Sequence, residues 1–352
     1  MRMARKKLTV AIVYNQTGKD IYEVMKNVDP ATLPFTPEYR IDVATEVEEY
    51  QAIAKALEGR GYRVRLVNIR DKVTPLLSTL KKGKPDVVFN LVEGFQDTVG
   101  LENSVAAVFD LLGIPYTGSQ PFALSLCLRK GLTKQVLLAN GIPTPRFRQL
   151  TQPKFPRRHG LHYPLIVKPA KEDASVGVDA GSVVNDLDAL TQRVNDAFQR
   201  FSPPILIEEF IDGRELHVAI LGNTPPQVLP ILEYDFSELP GEHPPILSYD
   251  VKWDPLKEAY HRIHTICPAK LSKEAERRVR QRALDAYLIT GCRDYARVDI
   301  RLSPSNKVYV LEVNPNPDLT EGVSFMESAE NAGYGFGEAL QKIVDFAVKR
   351  KT

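Results

Sequence analysis

Residues 295–317 read YARVDIRLSPSNKVYVLEVNPNP. Apolar and polar residues alternate on both sides of Ser305–Asn306. Alternation with a period of two marks a half-buried strand, and a polar dipeptide between two such runs predicts an antiparallel hairpin. With Ser305–Asn306 as a two-residue loop, Asp299 falls opposite Glu312 and Arg297 opposite Asn314, so all four side chains share one face. Two carboxylates and an amide oxygen converging there repel and desolvate one another unless a cation sits between them. Oxygen donors of this kind suit Mg²⁺, which keeps further bonds to water and nucleotide phosphates. The plain alternative is an Arg–Asp–Glu ladder on an exposed sheet face. That alternative leaves the NPNPDLT turn after the second strand unexplained.

With 352 residues the chain is too long for one core, so two or three lobes with a cleft between them are expected. With 43% hydrophobic residues, 26% charged residues and a formal charge of +2, the chain is of ordinary globular type and calls for neither nucleic acid nor a membrane surface. The start, MRMARKK then LTVAIVY, lacks a small-residue cleavage site and reads as a basic end followed by a buried strand. Cys127, Cys267 and Cys292 are odd in number and far apart, as expected of reduced thiols in the cytoplasm.

The first third alternates as an α/β unit: strands at 8–14, 62–69 and 86–91, a helix from about Val43 to Glu58, and another with Leu101, Val105, Val108 and Leu112 on one stripe. This predicts a parallel-sheet domain over 1–118. Between its first strand and first helix runs GKDIYEVMKNVDPATLPFTPEYR (18–40), long enough either to shape a substrate pocket or to be a surface loop. A second lobe spans 119–213, with a helix ending at Asn140–Gly141, a strand at 165–169, the loop KEDASVGVD, a helix near 188–201, and the strand ILIEEFI. The last segment, 214–352, is read as joined to it by an Asp–Gly turn. It carries an irregular stretch over 247–269 and a helix with Ala275, Val279, Ala283 and Tyr287 on one face. Arg277, Arg278, Arg280 and Arg282 in that helix read as a solvated face rather than a nucleic-acid stripe.

Lys168 ends an apolar strand where it can meet a phosphate, and the loop after it offers Ser175, Gly177 and backbone N–H groups. Glu208 and Glu209 end another apolar strand, and Glu215 follows a turn. Such acids either face solvent or receive an adenine amino group and ribose hydroxyls.

The order of these features resembles the ATP-grasp superfamily, and within it the D-alanine–D-alanine ligase family over almost the whole chain. The resemblance is carried by GIPYTGS, TKQVLLANGIPTP, YPLIVKP, EEFIDGREL, YDVKW with CPAKL, and RVDIRL with YVLEVNPNP. It implies a three-lobed ATP-grasp fold with an N-terminal parallel-sheet domain. It implies an ATP-dependent carboxylate–amine ligase working through an acyl phosphate, with small-molecule substrates, and dimers are common in the family. It further implies that Lys130 and Lys168 hold the ATP phosphates, with Ser175 in the loop that closes over them. Glu208, Glu209 and Ile211 would lie at adenine and Glu215 at the ribose. Asp299, Glu312 and Asn314 match the family's magnesium ligands, Glu312 bridging two ions, with Mn²⁺ as an alternative. Arg297 matches the arginine that offsets charge on the tetrahedral intermediate, and Lys252 lies on the loop covering the γ-phosphate. Trp253 either caps the site or anchors that loop.

Departures from the family pattern cluster in the substrate pockets. The family's opening glycine-rich turn with a Glu for the first D-alanine's ammonium is replaced by NQTG and the 18–40 stretch, with Asp42 or Glu46 as candidate substitutes. Glu93–Gly94 stands where the family has His–Gly, Ala174–Ser175 where it has two serines, and Trp253 where it has tyrosine. The family's PGMT…SL reads Pro317–Asp318–Leu319–Thr320, then Glu321–Gly322–Val323–Ser324. Asp318 would set a negative charge near an acceptor carboxylate. The expectation is therefore a ligase whose acceptor amine differs from D-alanine.

Overall fold

The computed structural model describes residues 7–350 apart from Glu242; the basic start at 1–6 lies outside the described residues. Three sheets follow one another along the chain. β1 (Thr9–Tyr14) lies between β2 (Arg63–Asn68) and β3 (Val87–Leu91), all parallel. Every residue of β1 is buried, as a central parallel strand with both faces covered requires. Val10 and Ile12 point to helix Glu46–Gly59 and to the C-terminal helix Phe336–Lys349, through Ile53, Leu57, Leu340 and Ile343. Ala11 and Val13 point the other way, to Leu76, Val105 and Phe109. The end of the chain thus seals the sheet that its beginning founds. Helix Glu46–Gly59 starts at a capping box between Thr45 and Glu48. Helix Val73–Lys82 is an element that the sequence pattern does not anticipate.

The second sheet is antiparallel and contains β4 (Phe147–Leu150), β5 (Leu165–Pro169), β6 (Val183–Val184) and β7 (Ile205–Glu209), in the order β4-β7-β5-β6. Helix Leu187–Arg200 covers it through Leu190, Val194 and Ala197. The third sheet contains β8 (Arg214–Leu221), β9 (Gln227–Val228), β10 (Leu232–Asp235), β11 (His264–Ile266), β12 (Tyr295–Leu302) and β13 (Val308–Asn314). Its order is β11-β10-β8-β12-β13, with β9 paired to β8. Helix Lys273–Ile289 buries Ala275, Val279, Ala283 and Tyr287 against Val298, Ile300, Val310 and Val313. Arg277 is exposed, and Arg278 pairs with Glu274, Arg280 with Glu276 and Arg282 with Asp285, which fits a solvated face.

Two expectations need correction. Asp212–Gly213 does not join a hairpin: β7 pairs with β4 and β5, whereas β8 pairs with β10 and β12, so the dipeptide carries the chain from one sheet to another. Gly213 has φ +127°, and a Cβ there would lie 2.2 Å from the Leu302 carbonyl oxygen. The stretch 247–269 is also more ordered than its prolines suggest, since it forms helices Tyr249–Trp253 and Glu258–His261 before β11. Among the described residues no helix is long and apolar enough to cross a membrane.

Candidate active site

The hairpin forms, with a detail its sequence hides. Ser303 N donates to the Lys307 carbonyl at 3.0 Å, so the loop is Pro304–Asn306, three residues with Asn306 in the left-handed region. Leu302 pairs with Val308 and Ile300 with Val310, a register one residue away from that of a two-residue loop. The register then shifts: Asp299 pairs with Glu312 and Arg297 with Asn314, leaving Leu311 as an extra residue on β13. Because side chains alternate across a strand, this bulge keeps Val313 on the core side with Val308 and Val310. It turns Glu312 and Asn314 to the cleft, where Arg297 and Asp299 already point. The expected pairing at the site is present, by a route of two compensating irregularities.

Arg297 donates two hydrogen bonds to Asp299, Nε to Oδ1 at 2.7 Å and a terminal nitrogen to Oδ2 at 2.9 Å, both side chains being buried. Lys130 lies 2.9 Å from Glu312 and 3.4 Å from Asp173. Burial opposes ionisation of Glu312, but Lys130, Lys168 and Arg297 outweigh it and hold its carboxyl well below the usual range. Burial likewise opposes the charge on Lys130, yet Glu312 and Asp173 raise its pKa overall. His217, opposite Asp299 on β8, is held neutral by burial and by the nearby charges of Arg297 and Lys252. Its Nδ1 is 3.0 Å from Ser324 Oγ, so that serine already has a partner.

On the other wall Lys168 ion-pairs with Glu208, and Lys134 reaches the same carboxylate at 2.8 Å and Thr144 Oγ1 at 2.7 Å. Glu208 is 1% exposed, so its carboxylate anchors two lysines and does not stand free in the cleft. Burial pushes it up, but the lysines prevail and it stays below the ordinary carboxylate range. Burial, with Lys168 adding repulsion, brings Lys134 down to about 8 against the attraction of Glu208. The Glu209 carboxylate points away from that wall to the His162 backbone N–H at 2.9 Å and ring at 2.8 Å. Glu215 is bound by Arg301 at 2.6 Å. His217 and Arg301, which line the cleft, and Lys134 and Asp173, which pair with its Glu208 and Lys130, are residues that the sequence reading misses. Lys134 had a signal: it sits four residues after Lys130, on the same face of helix Lys130–Ala139, among residues that are otherwise buried.

A cover lies over one end of the cleft. Ser175 Oγ donates to the Leu247 carbonyl at 2.8 Å, Tyr249 N to the Val178 carbonyl at 2.9 Å, and Trp253 Nε1 to the Ala174 carbonyl at 2.8 Å. Lys252 lies 4.8 Å from the Trp253 ring centroid. Trp253 thus bonds the two loops together. Arg297, Lys252, Lys130, Lys168, Ser175, Glu208, Glu209, Ile211, Glu215, Asp299, Glu312 and Asn314 all border one cleft with about 950 Å³ of open space. Asp42 does not reach it, being held by Arg40 on the exposed loop.

Hard oxygen donors, paired lysines and an apolar slot between two antiparallel sheets define an ATP-grasp enzyme. Residues 136–345 match the family model described as the D-ala D-ala ligase C-terminus. A D-alanine–D-alanine ligase from Desulforudis audaxviator is 32% identical over 304 residues, 85% of this chain and 92% of that protein. An uncharacterized protein, y4sG, from Sinorhizobium fredii is 34% identical over 284 residues, 78% of this chain and 81% of that one. The crystal structure of D-alanine–D-alanine ligase from Bacillus anthracis complexed with ATP superposes with a TM-score of 0.74 at 22% identity, covering 99% of each chain. The chain belongs to the D-alanine–D-alanine ligase family of ATP-grasp enzymes, and it is an ATP-dependent ligase that forms a peptide-type bond.

Proposed function

We propose that this ligase condenses an amino acid or related carboxylate with an amine other than D-alanine, through an acyl phosphate. The observation that carries the acceptor half is an acidic wall. Half-burial pushes Glu49 up to about 8, with the charges of Asp318, Glu46 and Glu93 adding to it. A group of neighbouring carboxylates forms a poor seat for the carboxylate of D-alanine and a good one for an amine without such a group.

For the nucleotide half, Lys130 and Lys168 are the cations for the phosphates and the loop of Ser175 is their lid. The backbone at Glu209 and Ile211 is the adenine edge, with Glu208 acting through Lys168, and Glu215 lies at the ribose. Asp299, Glu312 and Asn314 fit Mg²⁺ by donor chemistry: two carboxylates, one of them firmly ionised, and an amide oxygen, all facing one cleft. A count of two ions, and Mn²⁺ as a substitute, belong to the same proposal. Held by Asp299, Glu312 and Asn314, a divalent ion would supply charge neutralisation for phosphoryl transfer to the substrate carboxylate. Arg297, kept cationic by Asp299, offsets the oxyanion as the amine adds to the acyl carbon. Lys252 balances the γ-phosphate from the lid, and the lid excludes the water that would hydrolyse the acyl phosphate. Unpaired Cys127, Cys267 and Cys292 support a cytoplasmic setting.

The test is mass spectrometry of reactions containing ATP, Mg²⁺ and pooled amino acids and amines. A product lighter than its two substrates by one water supports the reading, and a phosphorylated product would point to a kinase instead. Brisk phosphate release with millimolar D-alanine alone would show an authentic D-alanine–D-alanine ligase.

A further inference from the structure

The 18–40 stretch, an insertion relative to the family pattern, is neither a free surface loop nor part of the nucleotide wall. At one end Asp20 accepts a hydrogen bond from Glu46 N at 2.6 Å, and Lys26 pairs with Glu48, fastening the insertion to helix Glu46–Gly59 of the first lobe. At the other end Tyr39 N donates to His261 Nδ1 at 3.0 Å and Tyr39 OH to the Ile263 carbonyl at 3.1 Å, while Glu38 pairs with Arg262. Between these anchors Tyr22 OH donates to the Trp253 carbonyl at 3.1 Å. Trp253 in turn holds Ala174 of the phosphate loop. A continuous set of bonds therefore runs from the first lobe, through the insertion and the lid, to the second lobe.

We propose that Tyr22 is a positioning residue, which holds the Lys252–Trp253 segment closed over the nucleotide site. The inference rests on reading that segment as the lid of the ATP site. The Tyr22 hydroxyl suits this role because burial raises its pKa, and Tyr260, Tyr249 and Glu49 raise it further, so it stays a donor. A main-chain carbonyl as acceptor ties the insertion to the lid backbone, which makes the bond independent of the side chain at position 253. The insertion thereby couples closure of the lid to the lobe that carries the acidic acceptor wall.

Trp253 is the sole tryptophan, so its fluorescence reports on the lid alone. The experiment compares parent and Tyr22→Phe by acrylamide quenching without nucleotide, and by stopped-flow dissociation of mant-ADP with Mg²⁺. Loss of one hydrogen bond is expected to raise quenching and to speed mant-ADP release by about three- to tenfold, with far-UV circular dichroism and melting temperature unchanged. Tyr39→Phe, which loosens the far anchor, is expected to act in the same direction. Quenching and release equal to the parent's would overturn the proposal, as would a change in quenching that leaves release untouched. If the parent itself binds no mant-ADP, the nucleotide reading of the lid falls; quenching, which needs no nucleotide, then still shows whether Tyr22 secures Trp253.

Discussion

Asp299 stands directly opposite Glu312 only because β13 carries one residue more than β12 requires, Leu311. In the register of the hairpin's outer half, Glu312 would face the same way as Val298, into the core beneath helix Lys273–Ile289. The bulge reverses that. It leaves Val313 to fill the core and gives the cleft a second carboxylate. Glu312 then meets Lys130 at 2.9 Å, and this pair links β13 to the start of helix Lys130–Ala139.

Glu312→Gln keeps the shape at this position and removes the charge that offsets Lys130. Glu312 is half-buried and the hairpin register does not depend on its charge, so the melting temperature is expected to move only a few degrees. ATP turnover, measured by phosphate release with Mg²⁺, is expected to fall at least about 100-fold, as when an electrostatic group is removed from a preorganised site. Retained turnover would remove Glu312 from the metal set.

Lys134 offers a pH test that needs no substrate. Its folded pKa of about 8 lies below the ordinary lysine value of 10.5. Between these values the unfolded chain binds more protons than the folded one, so this group makes stability rise with pH, by at most about 1.4 kcal/mol per pH unit. Below pH 8 both states carry the proton and its effect is flat. Lys134→Met removes this contribution. Parent minus variant stability, from urea melts at about pH 7.5 and about pH 10, is therefore expected to shift towards the parent at the higher pH. A constant difference would mean that Lys134 keeps an ordinary pKa.

Gly213 marks where the chain passes from β7 to β8 against the end of β12. At φ +127°, with an added Cβ 2.2 Å from the Leu302 carbonyl oxygen, Gly213→Ala combines backbone strain with a clash against main chain. A loss of about 3 kcal/mol or more is expected in urea melts. Since Glu208 and Glu215 flank this crossing, weaker mant-ADP binding should accompany it. An alanine variant as stable as the parent would show that the crossing can relax.

The alternation in 297–314 made the cleft face of β12 and β13 legible, because period-two patterns state which side chains share a face. The bulge was less visible. Its trace is the spacing Val308, Val310, Val313, in which one apolar step is three residues instead of two. The Asp–Gly dipeptide misled because local turn chemistry says nothing about which sheet a following strand will join. Lys134 and Arg301 lie in segments read for helix and strand content, and their partners Glu208 and Glu215 are far away in sequence, so only the fold brings them together. The same holds for Tyr22 and Trp253.

Asp318 provides the test closest to substrate choice. Its carboxylate accepts from Thr320 N at 2.8 Å, and its charge is the second cause, after burial, that raises Glu49. Asp318→Asn keeps the turn bond while removing the charge. Glu49 then loses a repulsive neighbour, so its pKa should fall. Any acid limb it imposes on the pH–rate profile should move to lower pH. If negative charge is what excludes D-alanine as acceptor, phosphate release with D-alanine is expected to increase about tenfold in kcat/KM, roughly the effect of removing one like charge from a partly buried site. The cationic or neutral amine found in the library screen should lose ground in the same variant. A variant that gains nothing with D-alanine and loses nothing with that amine would show that selection lies elsewhere in the pocket, with Glu93 the next residue to change.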